Sequence, residues 1–240
     1  MRHLQSDWRA EERSMNQVAC QRPDFPAWRR TLAEERVNAA THGAAFITSV
    51  LGALIMAPGI MPNRDAGLVI GCGVYLLSLI AVYASSTLSH SSSSIRWKSF
   101  FRRLDQGCIY LLIVATYTPF SLAYLRGGLW LTVLLAMWGV AIFGFVAKLF
   151  FAHRVESVTV TSYVFLGWIT IIAIPSLWRS APIGAVESMI AGGLCYTIGT
   201  VFLIYDEQVR HFHAVWHLLV IAGSACHFLG ILVFVVGGTN

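Results

Sequence analysis

The chain has 240 residues, a formal net charge of +5, 56% hydrophobic residues and only 12% charged ones. Soluble domains carry about 25% charged residues, so a soluble fold is excluded, and with it the usual reading of a basic chain as a nucleic-acid binder. Five cysteines, Cys20, Cys72, Cys108, Cys195 and Cys226, are scattered singly, a spacing that suggests neither a disulfide framework nor a thiolate zinc site.

The first 37 residues carry seven arginines and six acids, and they have no apolar core of the kind a cleavable signal needs. Residues 1–36 are therefore expected to form a cytoplasmic arm. Its segment "PDFPAWRRTLAEER" combines Phe25 and Trp28 with arginines, and either lies on the membrane as a short amphipathic helix or is a solvated arm. Residues 37–240 form the membrane domain. Stretches of about 20 mostly apolar residues read as spanning helices, and seven occur in order: 37–57, 66–89, 106–125, 129–147, 158–178, 185–205 and 214–236. They are apolar all round, whereas a barrel strand alternates in polarity. Short connections such as "PGIMPNRD", "RGG" and "RSAPIG" make successive helices antiparallel neighbours. "RRLDQG" closes a longer loop before the third span. Gly192, Gly193, Gly199 and Gly223 are expected to permit close helix contact. The fold class expected is an all-α integral membrane protein, a seven-helix bundle.

Lysine and arginine divide unequally between the two sides. One side has seven in the N-terminal arm, then Arg96, Lys98, Arg102, Arg103, Lys148, Arg154 and Arg210, fourteen in all. The other has Arg64, Arg126 and Arg179. By the positive-inside rule the N-terminus is cytoplasmic and the C-terminus outside.

Polar residues converge at the cytoplasmic end. Span two ends at Ser86 and His90, span three starts just after Asp105, span seven starts at His213 and His217, and span one starts at "EERVNAATH". His213 and His217 are four apart and share a helix face, as do Ser86 and His90. Glu35, Asn38 and His42 share another. Intramembrane ionisable residues point to function. Two imidazoles from one helix and one from a neighbour suit zinc, and three protein ligands with an open position make a catalytic pattern. Interfacial histidines facing headgroups are the alternative. Asp105 either accepts a hydrogen bond from a water on the metal or caps span three. Ser86 either positions a carbonyl or water, or bonds its own backbone. His211 reads as a loop residue, His227 as a packed core histidine, and His3 and His153 as surface residues.

The segments "EERVNAATHG", "SSTLSH…FRRLDQG…TYTPF" and "FHAVWHLLVIAGSACHF" resemble the three motif regions of the hemolysin III proteins. These bacterial membrane proteins belong with the progestin and adipoQ receptors, the adiponectin receptors among them. The resemblance runs from about Glu34 to Phe228. It implies seven helices with the N-terminus inside the plasma membrane, and zinc held by His90, His213 and His217. It also implies Asp105 on the zinc-bound water, Ser86 four residues before the first ligand, and Glu35, Asn38 and His42 as the first motif, with Glu34 a competitor for the acidic role. Ser89, often aromatic in the family, and Gln106, often histidine in bacterial members, are departures that alter the surroundings of the site.

The function expected is zinc-dependent hydrolysis of a lipid amide or ester at the cytoplasmic leaflet. Zinc activates water and polarises the carbonyl, and the acyl chain of the substrate enters between helices. Membrane lipids are the expected partners and nucleic acid is not. The alternative is a lipid-sensing or membrane-homeostasis protein with a structural zinc. A cytolytic pore is disfavoured, because a conducting path needs polar lining across the bilayer and the polar residues here cluster at one end.

Overall fold

The computed structural model describes residues 31–61, 65–125, 127–151 and 159–239. The expected arm over residues 1–30, His3 and His153, and Arg64, Arg126 and Arg154 of the charge count lie outside the described residues.

Among the described residues, seven helices are long and apolar enough to cross a membrane. They are α1 (Leu32–Ile60), α2 (Ala66–Ser91), α3 (Ile95–Tyr124), α4 (Gly128–Phe151), α5 (Val160–Ser180), α6 (Ile183–Ile204) and α7 (Phe212–Val236). Among the described residues there is no strand. A helix satisfies its backbone internally, which hydrocarbon demands. The side chains agree: Leu54, Phe143, Phe150 and Phe165 point outward and are more than half exposed, as befits a surface solvated by lipid.

Local chemistry explains several boundaries. Asp65 caps α2, its carboxylate accepting from the Gly67 amide at 2.7 Å and the Leu68 amide at 3.3 Å, an arrangement worth about 1 kcal/mol. Glu34 and Glu35 occupy the first turn of α1, where acids complement the helix dipole; the helix accordingly starts five residues before the apolar run. α5 is broken by a 3₁₀ stretch, Ile169–Ala173, just ahead of Pro175, whose missing N–H and ring disrupt the preceding turn. α7 ends in a π-helical stretch, Ile231–Val236.

One expectation is corrected here. The basic segment between spans two and three was expected to be a loop, but α3 begins at Ile95, leaving Ser92–Ser94 as the connection. "IRWKSFFRR" contains no glycine or proline to stop a helix, and Ser94 takes the extended conformation of a helix start. Asp105 therefore lies ten residues inside α3 and does not cap it.

α3 is the central helix. Of its most apolar stretch 67% is buried, against 17% for α6 and 22% for α1 and α4. It packs on α2, α4 and α5, while α1 lies against both α2 and α7. One core cluster gathers Tyr75, Leu79, Val82 and Phe120 with Trp216 and Ile231. The second gathers Val114, Tyr117, Met137, Leu166 and Leu177. α6 and α7 approach closely: a Cβ on Gly192 would meet the His227 ring at 2.5 Å, and one on Gly223 would meet the Tyr196 ring at 2.6 Å. Gly199 is similarly covered by Trp216. A Cβ on Gly193 would meet nothing within 4 Å among the described residues, so the close contact expected there is absent.

Candidate metal centre

α2 ends, and α1, α3 and α7 begin, at one end of the bundle. His90 comes in on the last turn of α2, and His213 and His217 on the first two turns of α7. Their i, i+4 spacing stacks the latter pair, with ring centroids 4.5 Å apart. Both rings lie 5.2 Å from His90. Among the described residues, His90, His213 and His217 form a group that could hold a metal ion, each offering a nitrogen within 4.8 Å of the others.

The opposite edge of each ring is held by a protein partner. His90 Nδ1 lies 2.8 Å from Glu35 Oε2, His213 Nδ1 lies 2.6 Å from Asp206 Oδ2, and His217 Nδ1 lies 3.2 Å from Thr41 Oγ1. The Thr41 hydroxyl donates its proton to the Asn38 carbonyl at 2.9 Å, so toward His217 its oxygen is an acceptor. All three partners accept, which places the proton on Nδ1 and makes Nε2 the nitrogen each ring would offer. Metal-binding histidines are oriented in this way, so the donor set fits a cation that favours imidazole.

The partners also tie the helices together. Glu35 of α1 bridges His90 of α2 and Lys98 of α3, the latter at 2.9 Å. Glu34, the competitor for the acidic role, instead faces Arg210 at 3.8 Å. Asp206 belongs to the turn between α6 and α7. There His211, exposed in the loop as expected, adopts the left-handed conformation at φ 65° and starts α7. The reversal brings Asp206 back against His213.

Two further residues of the first motif are placed beside the site. His42 is buried and stacks on His217, centroids 3.5 Å apart, and meets Tyr83 edge-on at 5.2 Å. Asn38, one turn earlier, is buried as well. Among the described residues, neither Asn38 Nδ2 nor either nitrogen of His42 has a hydrogen-bond partner. Ser86 is completely buried one turn before His90; its hydroxyl is near the Asp105 carboxyl, yet outside normal hydrogen-bond geometry with any group among the described residues. Asp105 has Arg102 as its cationic neighbour and is not one of the converging ligands. Buried polar atoms left without a protein partner beside three imidazoles befit a site that holds a polar ligand. His227 sits deeper, packed against Tyr196 at 5.5 Å and buried as a core residue.

Thr41 and Asp206 were not anticipated. Thr41 could have been found by its place beside His42 on the same turn of α1. Asp206 carries no such signal, since only the loop's path brings it back to α7.

Residues 30–228 match the family model described as Haemolysin-III related. The chain is 37% identical over 203 residues to Hemolysin-3 of Bacillus cereus, covering 85% of this chain and 92% of that one. It is 34% identical over 206 residues to the Hemolysin-3 homolog of Bacillus subtilis (strain 168), covering 86% and 96%. More distantly, it is 25% identical over 228 residues to the Monocyte to macrophage differentiation factor of Homo sapiens, covering 92% and 91%. The chain is thus a multi-pass integral protein of the bacterial plasma membrane and belongs to the haemolysin III-related family.

Proposed function

We propose that this protein is a zinc-dependent hydrolase of a lipid amide or ester, with its centre at the cytoplasmic end of the bundle. The observation that carries the reading is the convergence of His90, His213 and His217 with Nδ1 of every ring on an acceptor. Three imidazoles are a catalytic donor set. When bound, zinc supplies a Lewis acid that polarises a carbonyl and activates water near neutral pH.

The chain's own residues do the rest. Glu35, Asp206 and Thr41 fix the tautomer and aim of the three rings. Asp105 accepts the proton of the attacking water. Ser86, fully buried and near Asp105, donates to the substrate carbonyl. Asn38 and His42 line the site from α1, offering hydrogen bonds that no group among the described residues uses. The bundle setting favours a lipid substrate, whose acyl chain stays among apolar helices. The cytoplasmic placement rests on fourteen cations on that side against three.

A second reading has support from one observation: the histidines and their partners join α1, α2, α7 and the turn before α7, so zinc could act as a clasp in a lipid-sensing protein. The experiment separates the two. The purified protein is assayed for zinc and incubated with lipid amides and esters. Hydrolysis that vanishes in His217→Ala and falls in a zinc-loaded Asp105→Ala supports the enzyme. Should Asp105→Ala bind zinc and keep full activity, the hydrolytic roles assigned here are wrong.

A further inference from the structure

His90 stands seven residues after Tyr83 on α2, and Ser224 stands seven residues after His217 on α7. α2 ends at the metal centre and α7 begins there, so both steps lead two turns inward from the histidines. At that depth the two helices are joined. The Tyr83 hydroxyl donates to Ser224 Oγ at 2.8 Å. The Tyr196 hydroxyl of α6 lies 2.9 Å from the same oxygen, and Tyr75 of α2 donates to the Ser224 carbonyl at 3.2 Å. Tyr75, Tyr83 and Ser224 are all buried. His42 fills the space between this junction and the centre, touching Tyr83 on one side and His217 on the other.

α2 and α7 supply all three imidazoles, so their relative register decides whether the nitrogens converge. One residue of slip displaces a helix by about 1.5 Å, whereas metal–ligand distances tolerate about 0.2 Å. Apolar faces hold register weakly in lipid, because the hydrocarbon outside is as apolar as the neighbouring helix. A hydroxyl pair is directional, and a slipped register leaves the Tyr83 hydroxyl unpaired in a medium without water, with Ser224 held only to Tyr196 of α6.

We propose that the Tyr83–Ser224 hydrogen bond, backed by Tyr75 and Tyr196, is a register lock that sets the geometry of the three-histidine centre. Tyr83 and Ser224 are positioning residues. The proposal rests on the zinc reading above.

The test compares Tyr83→Phe, Ser224→Ala and the double variant with Tyr124→Phe. Tyr124 also makes an interhelical hydrogen bond, to the Phe234 carbonyl, but at the far end of α7. Three quantities are measured on full-length protein in detergent: zinc affinity by chelator competition, the visible absorption of the cobalt form, whose intensity reports coordination geometry, and the melting point of metal-free protein. Tyr83→Phe and Ser224→Ala weaken zinc binding about five- to tenfold and lower the cobalt absorption. The double variant is no worse than Ser224→Ala, because both remove the same bond. Tyr124→Phe lowers the metal-free melting point and leaves affinity and spectrum alone. Wild-type affinity and spectrum in Tyr83→Phe overturn the proposal, as does an equal effect of Tyr124→Phe. A wild-type protein that takes up neither zinc nor cobalt refutes the metal reading and this proposal with it.

Discussion

Asp206→Asn removes a charge without removing bulk, and its effect can be sized from the site. Asp206 Oδ2 lies 2.6 Å from His213 Nδ1, with the two side chains 9% and 15% exposed. A short, shielded, charge-assisted bond makes the ring a better donor to a cation, and losing such a partner typically costs 10- to 100-fold in metal affinity. Asparagine keeps an acceptor oxygen, so the expected loss is about tenfold, or about 1.4 kcal/mol. Asp206→Ala, which keeps neither, goes toward 100-fold. Glu35 offers an internal comparison, because its charge is shared between His90 and Lys98. Glu35→Gln should match or exceed Asp206→Asn, since it also removes the ion pair that ties Lys98 of α3 to α1. Thr41→Val removes only a neutral acceptor at 3.2 Å and should cost the least, about threefold. Zinc titration against a competing chelator, at fixed pH and detergent, ranks the variants. Equal affinity in wild type and Asp206→Ala would show that this carboxylate does not orient a ligand, and the reasoning would fail at its root.

Two other outcomes follow from the fold. Gly223→Ala places a methyl group 2.6 Å from the Tyr196 ring and 2.9 Å from the Gly192 carbonyl, so the α6–α7 contact must open, at about 1–3 kcal/mol. Gly193→Ala meets nothing, and thermal unfolding in detergent should find it neutral beside a clearly destabilised Gly223→Ala. For orientation, single cysteines are placed at Ser93, exposed between α2 and α3, and at Pro182, exposed between α5 and α6, in a chain without its native cysteines. An impermeant maleimide on intact cells should label Pro182→Cys at once and Ser93→Cys only after lysis; the reverse pattern would invert the topology.

Spanning length and apolarity are local properties, so seven helices were legible from composition along the chain. The i, i+4 pair on α7 and the histidine at the end of α2 were legible for the same reason: helical periodicity and span order put them at a common depth. The start of α3 was not, because counting charge treats arginine and lysine as loop residues. A stretch free of glycine and proline continues a helix regardless, and that moved Asp105 from a cap position to the helix interior. Nor could local pattern show that Gly192 rather than Gly193 faces α7, which depends on how one helix is rotated against another. Asp206, Thr41 and Ser224 are short polar side chains with no periodic signature. Their partners lie on other helices or across a reversed turn, at separations of 7, 176 and 141 residues. Which hydroxyl or carboxylate meets which imidazole is decided by helix register and the path of one loop, and those exist only once the bundle has packed.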